Sequence, residues 1–92
     1  MSDDMQKDID FLLETLASIQ TKEDIKDLLD DLCTYKEVDS MAQRLRAAQL
    51  LANGETYEQI IKQTDISSAT LSRVSKCLKY GKGYKKVLQK ED

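Results

Sequence analysis

Apolar residues along this chain recur at helical spacing, and strand-like alternation is absent. Over residues 3–19, Ile9, Leu12, Leu13, Leu16 and Ile19 share one face of an amphipathic helix. Asp3, Asp4 and Asp8 place negative charge where a helix N-terminus favours it. Thr21, three residues before Asp24, marks a second start, and Ile25, Leu28, Leu29 and Leu32 give a helix over 22–32. Thr34 with Glu37 forms an S/T-x-x-E capping signature. It opens a third helix that runs to Ala52, with Val38, Met41, Ala42, Leu45, Ala48 and Leu51 expected inward. Asn53-Gly54 ends it, glycine being the usual left-handed helix terminator.

Beyond Gly54 the pattern shortens. Thr56 opens a helix of about eight residues, TYEQIIKQ. Thr64-Asp65-Ile66 reads as a turn, and Ser67 or Ser68 caps a further helix reaching about Lys79. Gly81-Lys82-Gly83 is expected to loosen the chain before a last short helix, YKKVLQK. The reading is all-α, with about six helices. No proline interrupts any of them.

Two short helices joined by a tight turn over residues 56–79 meet the requirement of a helix-turn-helix. Ile60 and Ile61 give the first helix an inner face, Ile66 plugs the angle, and Leu71, Val74 and Leu78 give the second its inner face. Asp65 takes the turn position, where tolerance of a left-handed conformation is needed. The outward residues of the second helix are Ser67, Ser68, Ala69, Thr70, Ser72, Arg73, Ser75, Lys76 and Lys79, with no carboxylate among them. Small residues at its start suit entry into a major groove about 12 Å wide, hydroxyls bond bases or phosphates, and a helix N-terminus attracts anions.

Charge sharpens this picture. The net charge of −3 over 92 residues divides unevenly: residues 1–40 hold twelve acids and four bases, residues 41–92 five acids and ten bases. Nucleic-acid binding follows the local field of one face, so the basic half is the one to weigh. Histidine is absent, and Cys33 and Cys77 stand far apart. Zinc sites, Ser/His and Cys/His pairs are thereby excluded, and the cysteines read as small apolar residues in a reducing compartment. The acidic start is no signal peptide, and no apolar run approaches the roughly 20 residues of a membrane span. A cytoplasmic protein without cofactor, metal or membrane partner is expected, and no enzyme.

The stretch Leu32 to Gly81 resembles the core of the tryptophan repressor superfamily, in particular its YerC/YecD-type branch. The carrying elements are Q-R-L-R at Gln43–Arg46, L-L-x-N-G-E at Leu50–Glu55 and I-S-x-A-T-L-S-R at Ile66–Arg73, followed by C-L-K at Cys77–Lys79. The resemblance implies a single domain of six helices in an intertwined homodimer. Residues 1–53 would serve dimerisation, 56–79 the helix-turn-helix, and 80–92 a C-terminal helix and tail. The leucine-rich faces of the first two helices suit a shared core, which a chain this short gains by dimerising. Double-stranded DNA is the implied partner, with the second helix of each motif in successive major grooves of a near-palindromic site. Ser67, Ser68, Ala69, Thr70 and Ser72 would face the groove, and Lys62, Arg46, Arg73, Lys76 and Lys79 the phosphates.

In that family a tryptophan effector lies between helix-turn-helix and dimer core. Arg44, Arg73 and Thr34 match its ligand-binding residues. Val74 stands in place of a glycine that makes room for indole, and Cys77 in place of a hydrogen-bonding serine. An overfilled pocket costs about 1–3 kcal/mol, and a thiol is a weak hydrogen-bond partner. Tryptophan is therefore not expected as effector. Arg44 and Arg73 equally suit surface ion pairs or phosphate contacts. Sequence-specific transcription regulation is the reading favoured. The alternative is a helical protein-interaction module that keeps the helix-turn-helix shape without DNA contact, which the acidic first helices favour and the carboxylate-free second helix disfavours.

Overall fold

The computed structural model describes residues 3–88. Among them are six helices and no strand: α1 (Asp3–Ser18), α2 (Lys22–Leu32), α3 (Tyr35–Ala52), α4 (Tyr57–Thr64), α5 (Ser68–Tyr80) and α6 (Gly83–Leu88). The all-α expectation holds. The chain divides into two compact units, residues 1–35 and 36–92. None of the described helices is long and apolar enough to cross a membrane.

The N-terminal unit holds α1 and α2. Thr21 caps α2, its hydroxyl accepting from the Asp24 N–H at 3.1 Å, as the sequence indicated. Asp30 accepts from Lys26 at 2.8 Å and holds that ammonium above its ordinary pKa. Both ends of this pair are exposed, so screening leaves it little weight. The apolar faces read from the sequence are present, but no residue of α1 or α2 is buried within the chain. Phe11 is 71 % exposed and Leu13 56 %. Phe11, Leu12, Thr15, Leu28 and Leu32 line an apolar hollow of about 360 Å³ together with Asp8.

The second unit has a true core. Ala47 and Ala48 of α3, Ile60 of α4, Ile66 of the turn, and Leu71 and Val74 of α5 are buried together. Leu50, Leu51, Ile61, Tyr84 and Leu88 pack against them. The inward face of α3 therefore differs from the one expected. Ala48 and Leu51 belong to it, but Met41, Ala42 and Leu45 are exposed and Ala47 replaces them. Ala47 and Ala48 are fully buried with Ile60, Ile66, Leu71 and Val74, so α3 meets the core through two small side chains rather than through the larger ones.

α3 ends on Gly54, at φ 90°. The Glu55 N–H reaches the Leu50 carbonyl at 3.1 Å and the Gly54 N–H the Leu51 carbonyl at 3.0 Å, a paired closure that satisfies helix-end acceptors. The second glycine region does not loosen the chain as expected. Gly81 is extended and caps α5, its N–H donating to the Cys77 carbonyl at 2.8 Å, and Gly83 is already the first residue of α6. Of the last predicted helix, Gln89 and Lys90 lie outside the described residues.

Candidate nucleic-acid interface

The geometry of the helix-turn-helix is set by local caps. Thr56 accepts from the Gln59 N–H at 3.2 Å, and the Gln59 side chain accepts from the Thr56 N–H at 2.9 Å, a reciprocal box that starts α4. At its other end Asp65 takes φ 59°, ψ 15°, the left-handed conformation, and its N–H closes on the Ile61 carbonyl at 3.0 Å. The Thr64 hydroxyl donates to the Ile60 carbonyl and accepts from the Ile66 N–H, which fixes the entry of Ile66 into the core. Ser67 then caps α5, accepting from the Thr70 N–H at 3.2 Å. Of the two serines the sequence left open, Ser67 is the cap.

A side chain from α3 locks this turn. Gln43 donates to the Thr64 carbonyl at 2.8 Å, a part-buried bond across 21 residues of chain. Sequence reasoning placed Gln43 in a family motif but gave it no contact. The first turn of α5 thus sits on a rigid base, with Leu71 and Val74 buried beneath it at 0 % and 1 % exposure.

The predicted DNA-facing residues do not share one environment. Ser68, Ala69, Ser72, Arg73 and Lys76 are exposed on α5, and Ser67 is exposed at its start with its hydroxyl engaged as cap. Thr70 is only half-exposed, its hydroxyl accepting from Ser67 at 2.9 Å, and Ser75 is half-buried as well. Lys79 lies at the far end of the helix, its ammonium 5.3 Å from the Tyr80 ring centre. Lys62 is exposed in the last turn of α4. Arg46 sits elsewhere, in a hollow of about 600 Å³ beside the turn, lined also by Asp39, Ala42, Gln43, Gln63, Thr64 and Asp65. Two carboxylates share that hollow with it, which reduces the positive field Arg46 presents.

Of the five residues that the resemblance assigned to an effector pocket, four come together. Arg44 of α3 and Arg73, Val74 and Cys77 of α5 line one open hollow of about 430 Å³. Thr70 and Tyr84 complete its lining and were not foreseen there. Tyr84 comes from α6, a helix with no motif of its own; the only sequence signal was an aromatic residue directly after Gly83. Thr34 belongs to the other unit. No carboxylate lines this hollow, and neither arginine is ion-paired among the described residues.

What this surface can do chemically follows from its parts. The N–H groups of Ser68 and Ala69 have no acceptor among the described residues, because the cap serves Thr70 and the helix itself serves Leu71. They join the Ser68 and Ser72 hydroxyls and the cations Arg73 and Lys76 on one exposed helix. Such a set binds anions and hydrogen-bonding base edges without steric bulk.

Similarity to known proteins agrees with this geometry. Residues 7–92 match the family model described as Trp repressor protein. The chain is 44 % identical over 75 residues to the uncharacterized protein YerC of Bacillus subtilis (strain 168), spanning 82 % of this chain and 72 % of that one. Its fold matches the crystal structure of a candidate Trp repressor from Staphylococcus aureus with a TM-score of 0.86 at 33 % identity, over 90 % of this chain and 84 % of that one. A TrpR-like protein from Eubacterium eligens ATCC 27750 matches with the same TM-score and identity, over 90 % of this chain and 87 % of that one.

Proposed function

Since the chain belongs to the Trp repressor family, we propose that it is a sequence-specific DNA-binding transcription regulator that works as a homodimer and does not use tryptophan as effector. The observation that carries this reading is α5 itself: an exposed, carboxylate-free helix with small residues at its start, fixed from behind by Ile66, Leu71 and Val74. In this reading Ser68, Ala69 and Ser72 meet base edges, while Arg73, Lys76 and Lys62 hold phosphates. Thr70 contributes less than its position in the sequence suggests, because it is only half-exposed and its hydroxyl already accepts from Ser67, although its own proton stays free to donate.

Dimerisation supplies what the N-terminal unit lacks. Its apolar side chains are exposed in the single chain, and contiguous exposed apolar surface marks an interaction site. Two copies related by a two-fold axis would present two α5 helices to a pseudo-palindromic site. Independence from tryptophan rests on Val74, whose branched side chain is packed into the core where room for a ligand would be needed, and on Cys77 in place of a stronger hydrogen-bonding group.

Selection of bound fragments from a random DNA pool with the purified protein tests the reading. Enrichment of a palindrome with half-sites one helical turn apart is the expected result. A pool that stays random after repeated rounds at moderate salt would refute sequence-specific binding.

A further inference from the structure

α5 is gripped at both ends. Its start is held by the Ser67 cap and the Gln43–Thr64 bond. At its other end the chain folds back at once. A Cβ on Gly81 would stand 2.6 Å from the Cys77 carbonyl oxygen, so glycine is what allows the chain to leave α5 this closely. Lys82 alone separates Gly81 from α6. Lys85 then donates to the Lys79 carbonyl at 2.8 Å, placing a cation on the last turn of α5, where a helix favours one. Tyr84 and Leu88 pack against the core.

A helix of six residues has no stability of its own. α6 is ordered by these contacts, and contacts that restrain α6 restrain α5 equally. Tyr84 is half-buried and walls the hollow that Arg44 and Arg73 share. Arg44 and Arg73 carry like charges around one hollow, no carboxylate of the described residues lines it, and like charges favour a wider opening. A ring packed on the core opposes that opening, and it does so with few rotamers to lose.

We propose that Tyr84 is a positioning residue for DNA binding: its ring, carried on α6, walls the arginine-lined hollow and holds α5 in its reading orientation without a small molecule. This rests on the reading above that α5 contacts DNA.

The test compares the full chain with Tyr84→Ala, Tyr84→Leu and Tyr84→Phe. Two properties are measured: affinity for the palindrome selected by the unaltered protein, and hydrogen exchange of α5 amides without DNA. Tyr84→Ala should bind about tenfold more weakly, equivalent to about 1.4 kcal/mol, and its amides from Leu71 to Lys79 should exchange faster. Tyr84→Phe should restore both. Millimolar 4-methylphenol, the missing side chain as a free molecule, should restore the alanine variant and leave the unaltered protein unchanged. Tyr84→Leu keeps apolar bulk and fold without the ring, and should lose affinity too. Unchanged affinity and exchange in the alanine or leucine variant would overturn the proposal, as would losses that phenylalanine does not recover. Should the unaltered protein select no DNA, the exchange comparison alone decides the role of Tyr84, and only the DNA reading fails.

Discussion

Gln43 of α3 donates to the carbonyl of Thr64, the last residue of α4, at 2.8 Å, so the turn before α5 hangs on a side chain 21 residues upstream. The acceptor is one of the carbonyls a helix end leaves unpaired. Replacing Gln43 with methionine keeps the bulk and removes the donor. The loss expected in denaturant titration is about 1 kcal/mol, rising toward 3 if water cannot reach the part-buried carbonyl. Operator affinity should fall with it, because the turn sets the angle of α5. Stability within about 0.3 kcal/mol of the unaltered protein would show that the bond carries nothing.

Asp65 holds the left-handed conformation at φ 59°. Glycine adopts it without strain, so Asp65→Gly should melt at or above the unaltered protein. A β-branched residue pays for that region most heavily, and Asp65→Val should lose about 1–3 kcal/mol. Thermal melting of the three proteins checks the order. Valine melting with aspartate would mean that the turn relaxes out of this conformation at no cost.

Local signals proved legible because they act over three or four residues. The bounds of α2, the turn at Asp65 and the end of α3 at Gly54 all appear where side-chain chemistry placed them, while Thr56, expected as the first residue of its helix, is the cap of α4. What the sequence hid depends on packing between helices. Ala47 reads as neutral in a periodicity argument, and only its burial with Ile60, Ile66, Leu71 and Val74 makes it core. Gly81 reads as a breaker, yet its meaning is close contact with the Cys77 carbonyl. Of the candidate site, the exposed α5 face was visible in residue types alone. The hydrogen bond that the Thr70 hydroxyl accepts from Ser67 was not, and neither was Tyr84, which reaches the hollow only because α6 folds back.

Phosphate contacts and base contacts should separate experimentally. Lys76 is exposed on α5 and is proposed to contact phosphates. Lys76→Ala should weaken binding to all sequences alike and reduce the slope of log affinity against log salt by about 1. Ser68→Val, at the start of the helix, should change which sequences bind while leaving that slope unchanged. Fluorescence anisotropy across a range of salt concentrations measures both. Equal slopes for Lys76→Ala and the unaltered protein would remove Lys76 from the phosphate set.

A homodimer is expected from the exposed apolar side chains of α1 and α2. Phe11, 71 % exposed, lines the apolar hollow of the N-terminal unit. Placing a charge there by Phe11→Asp should dissociate the dimer, since an unpaired buried carboxylate costs several kcal/mol. Sedimentation at low micromolar concentration is the measurement. A compact, cooperatively folded monomer of the unaltered chain would sink the shared-core model outright.

Tryptophan should leave the unaltered protein indifferent. Val74 is 1 % exposed and packed into the core, while it also borders the hollow with Arg44, Arg73 and Cys77. Its side chain cannot move aside without disturbing Leu71 and the helix that carries both. Calorimetry should therefore show no heat beyond dilution, and operator affinity should be the same with and without millimolar tryptophan. The double change Val74→Gly with Cys77→Ser opens room and supplies a hydroxyl, so weak binding should appear. That variant also loses buried apolar surface, about 1.5 kcal/mol or more, and places glycine inside a helix at about 1 kcal/mol further. Its gain is best read from its own melting curve, which tryptophan should raise by mass action. Saturable micromolar binding by the unaltered protein would refute this account, because it would require α5 to shift away from Arg44 far enough to seat an indole beside a valine that the core now holds.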